Sequence, residues 1–224
     1  QGNIYGIKEN QLTKYDKTGN ALFRYSNKNY QNITSVDASN MLKILVYYED
    51  FQVVQFLDNT LSETSEAINL VDMGYQQTQI VAAATNNSIW FYDSQNFEVL
   101  QLDLNLSVAH RTGNLTALLN YSILPTSLIE NNNRIFLNNP SSGILLFDIY
   151  GTYNKLFPEE NISSFQPKGD WLYYLKNGQL MASNLMTSEQ KSFTLPEQGI
   201  KAFRLETNLL FLQLNKNIVV YSTE

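Results

Sequence analysis

The chain has 224 residues, which is enough for one large all-β domain or two small ones. The formal net charge of −6 argues against a nucleic-acid partner, because phosphate binding needs a basic surface. The absence of cysteine excludes disulfides and thiol catalysis. No apolar run reaches the ~18 residues of a membrane-spanning helix, so we expect no direct insertion into a membrane.

Short apolar segments separated by turn residues follow one another along the chain. The first are NIYGI, QLTKY and ALFRY, followed by ITSVDAS and LKILVYYE. SETSEAINLVDM has too few apolar positions for a helix, and we interpret it as an outer strand and a loop. Residues 88–104 then place two apolar runs around DSQN, which is typical of a β-hairpin. The pairs TSLIENN and RIFLNN, ISSFQPKG and DWLYYLKNG, and IKAFRLET and NLLFLQLN each indicate a short strand, a turn and a stronger strand.

A polar residue recurs at the end of one strand in each of these groups. Its positions are Asp16, Asp58, Asp93, Asp148, Asn184 and Ser222, with steps of 42, 35, 55, 36 and 38 residues. Four of the five steps fit the period of a propeller blade made of four short antiparallel strands. We therefore predict an all-β fold, a single β-propeller domain over residues 1–224 with about six blades. Five blades with an extra hairpin, or a β-sandwich, are the alternatives.

The recurring aspartates are expected to be structural rather than functional. Asp and Asn side chains at turns accept hydrogen bonds from backbone N–H groups two residues further on. We therefore predict that Asp16, Asp58, Asp93 and Asp148 stabilise the turns of their blades.

Residues 104–125 account for most of the long 55-residue step, and we interpret them as an insertion. An insertion enlarges one face of a propeller, and loops often carry function. The candidate interface residues within it are Leu106, Val108, His110, Arg111 and Leu115. The alternative is that these apolar side chains cover the edge of a blade.

Catalytic chemistry has little support in the sequence. His110 is the single histidine, so a His-based zinc site or a Cys/His dyad cannot be assembled. The acidic clusters Glu49-Asp50, Glu63/Glu66 and Glu159-Glu160 lie in expected turns, where solvated carboxylates are ordinary. No calcium-binding loop or phosphate-binding glycine-rich loop is present. We therefore predict no catalytic, cofactor-binding or metal-binding residues, and no enzymatic activity.

The start QGNIYGIKENQLTKYD and the degenerate blades with YDKTGN-type turns resemble small secreted β-propellers of bacteria that use type IX secretion. Mature chains in that group often begin with Gln after signal-peptide cleavage, as at Gln1. Within the group, the chain is similar to the plug proteins that close the periplasmic opening of the outer-membrane translocon. The resemblance implies a periplasmic location and a partner that is the translocon or another channel protein.

Two other functions remain open from the sequence. The chain could be a propeller enzyme acting on glycans, or a propeller that binds a peptide or glycan without chemistry. A cluster of acids at the axial funnel would favour the enzyme.

Overall fold

The computed structural model describes residues 2–223, which form six antiparallel β-sheets in chain order. Blade 1 contains β1 (Ile4–Lys8), β2 (Gln11–Tyr15) and β3 (Ala21–Ser26), and blade 2 contains β4 (Ser35–Asp37), β5 (Ile44–Tyr48), β6 (Val53–Leu57) and β7 (Ile68–Asn69). Blade 3 contains β8 (Thr78–Ala83), β9 (Ile89–Asp93), β10 (Glu98–Leu102) and β11 (Val108–Arg111). Blade 4 contains β12 (Ser127–Asn131), β13 (Arg134–Asn139), β14 (Gly143–Asp148) and β15 (Tyr153–Phe157). Blade 5 contains β16 (Phe165–Lys168), β17 (Trp171–Lys176), β18 (Gln179–Asn184) and β19 (Gln190–Phe193), and blade 6 contains β20 (Ala202–Leu205), β21 (Leu209–Gln213) and β22 (Ile218–Ser222).

The six sheets are the blades of a β-propeller, which confirms the predicted fold and the blade count. β4 lies beside β8, β8 beside β12, and β16 beside β20, so the first strands of blades 2 to 6 surround the axis. Helical structure in the described part of the chain is minimal: α1 (Leu115–Leu119) and three single 3₁₀ turns (Glu49–Phe51, Val71–Met73 and Thr85–Asn87).

The hydrophobic core lies between blades rather than at one centre. Five clusters of buried apolar side chains join blade 1 to 2, 2 to 3, 3 to 4, 4 to 5, and 5 to 6. Strands in the middle of a blade are covered on both faces, so every residue of β5 and β9 is buried. This explains why LKILVYY and SIWFY lack clear alternation of apolar and polar residues.

Buried aromatic side chains dominate these clusters. Trp90 packs between blades 3 and 4 with Phe147, and Phe91 packs between blades 2 and 3 with Tyr47. All four are at most 1% exposed, and burying a side chain of this size stabilises the fold by about 2–3 kcal/mol. The polar tips are satisfied, because Tyr47 Oη donates to the Thr78 carbonyl at 2.7 Å and Trp90 Nε1 donates to Glu130 at 2.6 Å.

The interpretation of residues 104–125 as one insertion is wrong. Val108–Arg111 form β11, the ordinary fourth strand of blade 3, which pairs with β10. Only the connection to blade 4 is long, and it contains α1, capped by Asn114, whose side chain accepts a hydrogen bond from the Ala117 N–H at 2.8 Å. The 55-residue step in the sequence arises when Asp93 is counted as the recurring residue of blade 3. Asp93 ends the second strand of this blade, whereas Asp103 comes at the end of the third strand, as the recurring residues of the other complete blades do.

Candidate protein-docking surface

One turn recurs after the third strand of the complete blades. In blade 2, Asp58 Oδ1 accepts hydrogen bonds from the N–H groups of Thr60 at 2.7 Å and Ser62 at 2.9 Å. In blade 4, Asp148 Oδ1 accepts them from Tyr150 and Thr152 at 2.9 and 2.8 Å. In the four turns of this kind that begin with Asp, the fourth residue has a left-handed backbone: Gly19, Leu61, Leu106 and Gly151.

The same turn starts at Asp16 and at Asp103. Asp16 Oδ1 accepts from the N–H groups of Thr18 and Asn20 at 2.8 and 2.9 Å, and Asp103 Oδ1 accepts from Asn105 and Ser107 at the same two distances. Asn184 takes this place in blade 5 and accepts from the Met186 and Thr187 N–H groups. We call these five Asx turns, and the face of the propeller that carries them the Asx-turn face. The predicted turn role of Asp16, Asp58 and Asp148 is seen directly.

Asp93 performs a related role in a different turn. It is 1% exposed, ends β9, and accepts from the Gln95 N–H at 3.0 Å and from Asn96 Nδ2 at 2.7 Å. It therefore accepts hydrogen bonds within a turn, but this turn lies on the opposite face of the propeller, and its contribution to stability stays a prediction. Asp103 is the residue that sequence reasoning missed. Its signal is the shared pattern of D-N-T-L-S and D-L-N-L-S at residues 58–62 and 103–107.

Hydrogen bonding at the Asx turns shifts the acidity of two carboxyl groups. The Thr18 hydroxyl and the Asn20 amide hold the pKa of Asp16 far below its ordinary value. The Ser62 N–H and the Thr60 hydroxyl lower the pKa of Asp58 in the same way. Both carboxylates therefore carry a negative charge at neutral pH.

Exposed apolar side chains accompany the Asx turns of blades 3, 4 and 5. Their exposed fractions are well above those of core residues: Leu104 67%, Leu106 40%, Val108 37%, Tyr150 61% and Met186 69%. We call these five residues the apolar rim. Four of the five lie within Asx turns, where the residues that follow the capping side chain project into solvent.

Three contacts link the parts of blades 3, 4 and 5 that carry the apolar rim. The backbone of Gly151 in blade 4 lies against the backbone of Arg111 in β11 of blade 3. The ring of His110 packs edge-on against Tyr150, with centroids 5.3 Å apart. On the other side, Arg134 of blade 4 reaches Met186 of blade 5, with 4.0 Å between Nη2 and Sδ.

The structure places the predicted interface residues in different environments. Leu106 and Val108 belong to the apolar rim, and His110 supports Tyr150 at its edge. Arg111 is exposed and lies 3.7 Å from Glu98, as measured between Nη1 and Oε1. Leu115 is fully buried in the cluster between blades 3 and 4, so its prediction as an interface residue is wrong. The reason is that α1 folds back over the core, with the Leu115 N–H donating to the Phe97 carbonyl at 2.8 Å.

Charged side chains at the axial funnel, on the Asx-turn face, are engaged with other protein groups. The funnel is lined by the turns after the first strands and contains Glu130, Lys168, Arg204 and Glu206. Glu130 accepts from the Thr85 N–H at 3.0 Å as well as from Trp90. Arg204 Nε donates to Glu206 at 3.0 Å.

The acidic clusters singled out in the sequence lie in turns. Glu49 and Asp50 form a 3₁₀ turn between β5 and β6, and Glu159 pairs with Lys176. Burial and the neighbouring Asp50 raise the pKa of Glu49. Within residues 2–223, no group of three or more His, Cys, Asp or Glu side chains is arranged to hold a metal ion. The helical segments of this range are all too short or too polar to cross a membrane.

No model of a known protein family matches the sequence, and no curated protein matches it. Among solved structures, the chain is similar to a streptogramin B lyase, with a TM-score of 0.66 and 12% identity over 100% of this chain and 80% of that one. It is similar to the WD40 domain of Neurospora crassa Pan2, with a TM-score of 0.67 and 10% identity over 99% and 72% of the two chains. It is also similar to PorZ, an essential surface component of the type IX secretion system of Porphyromonas gingivalis, with a TM-score of 0.59 and 14% identity over 85% of this chain and 26% of that one. At these identities the similarity shows the propeller fold alone.

Proposed function

We propose that this propeller is a non-enzymatic protein-binding module that docks on the periplasmic side of an outer-membrane secretion channel of the type IX kind. The observation that carries the proposal is the apolar rim. An exposed apolar patch on a folded protein marks a surface that contacts another protein. Tyr150 and Met186 are side chains suited to this use, since aromatic residues anchor interfaces and methionine adapts to irregular partners.

Two further observations support the proposal. The funnel acids Glu130 and Glu206 are already bound by backbone and indole N–H groups or by Arg204, so within residues 2–223 they do not form a facing pair of free carboxylates of the kind glycan hydrolysis uses. The single histidine lies on an outermost strand, away from the axis. The similarity to PorZ adds a propeller of the same secretion system as a precedent for the fold.

The test is co-purification of the channel with rim variants. A triple variant, Leu106→Gly, Tyr150→Ser and Met186→Ser, removes three rim side chains without opening the core. Leu106→Gly also removes a left-handed leucine with a φ of 60°, so it should not destabilise the turn. The control variant carries Leu118→Ser and Leu124→Ser, which are 55% and 71% exposed and lie off the rim.

The proposal predicts that the triple variant recovers at least about tenfold less channel from detergent-solubilised outer membranes than the parent or the control. All three proteins should melt within about 2 °C of one another, because none of the changed side chains is buried. Equal recovery of the channel by the triple variant and the parent would show that the rim is not the docking surface. Failure of the parent itself to recover a channel would count against the proposed partner.

A further inference from the structure

Methionine supplies all the sulfur of this chain, which has four methionines and no cysteine. Met73 and Met181 are partly buried and pack against the hydrophobic clusters that join blades 2 to 3 and 4 to 5. Met41 is also partly buried, in the turn between β4 and β5. Met186, in the Asx turn of blade 5, is 69% exposed. Because the oxidation of a sulfur atom follows its exposure, Met186 is the methionine that an oxidant in solution reaches first.

Two contacts hold Met186 in place despite its exposure. Its backbone N–H donates to Asn184 Oδ1 at 2.9 Å, which fixes it within the Asx turn. Its sulfur lies 4.0 Å from Nη2 of Arg134, at the start of β13 in blade 4. The same nitrogen donates to Asp170 Oδ1 at 3.0 Å, so an ion pair anchors the guanidinium beside the sulfur.

The position of the guanidinium makes the two sides of the sulfur different. A thioether sulfur has two lone pairs, and addition of oxygen to one or the other gives sulfoxides of opposite chirality. Arg134 lies against one side of the Met186 sulfur and obstructs the approach of an oxidant from that side. Oxygen should therefore add from the other side and form one sulfoxide epimer in excess.

We propose that Met186 is a site of reversible oxidation by hydrogen peroxide, directed by Arg134 to one sulfoxide epimer, and that the sulfoxide weakens docking through the apolar rim. A sulfur lone pair attacks one peroxide oxygen, and the O–O bond breaks. The sulfur is oxidised by two electrons. The departing hydroxide takes up the proton of the transferred oxygen and becomes water. Methionine sulfoxide reductases reverse the change, one enzyme for each epimer.

The effect on docking follows from the polarity of the product. Sulfoxidation converts a flexible apolar side chain into a polar one, which disrupts interfaces that contain methionine. A sulfoxide oxygen buried against a partner without a hydrogen-bond donor costs free energy, and Arg134 lies on the wrong side of the sulfur to donate to it. This effect rests on the proposed function of the rim, whereas the oxidation itself does not.

The first measurement follows oxidation of the full chain by dilute hydrogen peroxide, with peptides quantified by mass spectrometry over time. We expect Met186 to be oxidised at least about threefold faster than each of the other methionines, because it is the most exposed. Circular dichroism during the reaction verifies that the protein stays folded. Oxidation of Met186 no faster than that of Met41 would overturn the modification site.

The second measurement determines the ratio of the two epimers at Met186. The oxidised peptide that contains this residue is treated with the reductase for one epimer or the other, and the remaining sulfoxide is counted. We expect a ratio of at least about 3:1 in the parent and about 1:1 in a folded Arg134→Ala variant, where both sides of the sulfur are open. Equal epimers in the parent would overturn the role of Arg134.

The third measurement is recovery of the channel by the propeller before and after oxidation, with the peroxide removed before mixing. Oxidation should lower recovery by the parent at least about threefold, and the two reductases together should restore it. Recovery by Met186→Leu should be the same before and after peroxide, because it has no sulfur at this position. Met41→Leu is the matched control and should stay sensitive to peroxide.

The three measurements separate failure of this proposal from failure of the proposed function. Selective oxidation of Met186 without loss of recovery would overturn its effect on docking. Equal loss of recovery by Met186→Leu would do the same, because another residue would then carry the sensitivity. If the untreated parent recovers no channel, the proposed function fails and the effect on docking fails with it. The oxidation rates and the epimer ratio still decide the modification site in that case, because neither involves the channel.

Discussion

At the scale of single residues, we expect the carboxylates of Asp16 and Asp58 to make the fold sensitive to acid. Their N–H and hydroxyl partners stabilise the charged form and lower the pKa values of Asp16 and Asp58 below the ordinary 3.8. A group with a depressed folded-state pKa contributes stability above its unfolded pKa and loses that contribution as the pH falls through the folded pKa. The turns should therefore weaken on acidification below about pH 4.

This gives a prediction for a double variant, Asp16→Asn with Asp58→Asn. An amide oxygen can still accept the backbone hydrogen bonds, but it does not titrate in this range. We expect the Tm of the variant to fall less steeply than that of the parent between about pH 5 and pH 2. Parallel Tm curves for the two proteins would show that these carboxylates do not carry the acid sensitivity.

Asp103 tests the Asx turn at a position that the sequence interpretation had missed. Asp103→Ala should lower the free energy of unfolding by about 1 kcal/mol, because the Asn105 and Ser107 N–H groups lose their acceptor. Asp103→Asn is the matched control and should cost less, since Asn184 fills the same place in blade 5. Urea denaturation measures both values. Equal stability of the alanine and asparagine variants would remove the side-chain acceptor from the explanation.

At the scale of elements, two glycines occupy the same place in two Asx turns and differ in their surroundings. Gly19 and Gly151 both have a left-handed backbone, with φ of 89° and 85°. A Cβ on Gly19 would meet nothing within 4 Å, whereas one on Gly151 would lie 2.9 Å from the Arg111 carbonyl oxygen. The strand β11 of blade 3 therefore leaves no room for a side chain at residue 151.

Alanine at the two positions should separate backbone strain from steric contact. Gly19→Ala should cost about 1 kcal/mol, the strain of a left-handed alanine. Gly151→Ala should cost at least 1 kcal/mol more, because the turn and β11 must also move apart. The comparison uses the free energy of unfolding from urea titration. A Gly151→Ala variant as stable as Gly19→Ala would show that the contact between blades 3 and 4 is loose.

The elements also show how far sequence reasoning extends. The blades could be predicted because each needs the same polar turn residue after a strand, and because middle strands such as β5 are apolar on both faces. Asp93 was assigned to the wrong turn because each blade has polar turns on both faces of the propeller. The local sequence does not show on which face a given turn lies. The burial of Leu115 depends on α1 folding back over blades 3 and 4, which local pattern does not encode.

At the scale of the whole molecule, hydrophobic clusters join each blade to the next. The apolar rim depends on this arrangement, because its residues come from three different blades. Tyr150 and Met186 are 36 residues apart in the sequence, and they lie in turns on the same face of successive blades because each of these turns contacts the outer strand of the blade before it. The sequence therefore predicted Leu106 and Val108 as a patch but could not extend it to blades 4 and 5.

Site-specific photo-crosslinking is the most direct test of the proposed docking surface. A benzoylphenylalanine placed at Tyr150, on the rim, is compared in living cells with one placed at Leu124. Leu124 is at least as exposed as Tyr150, and its N–H donates to Asn139 at the end of β13, on the opposite face. The account predicts a crosslink from position 150 to an outer-membrane channel protein, identified by mass spectrometry, and none from position 124. A crosslink to the channel from position 124 alone, or none from position 150 in cells where the channel co-purifies, would contradict it.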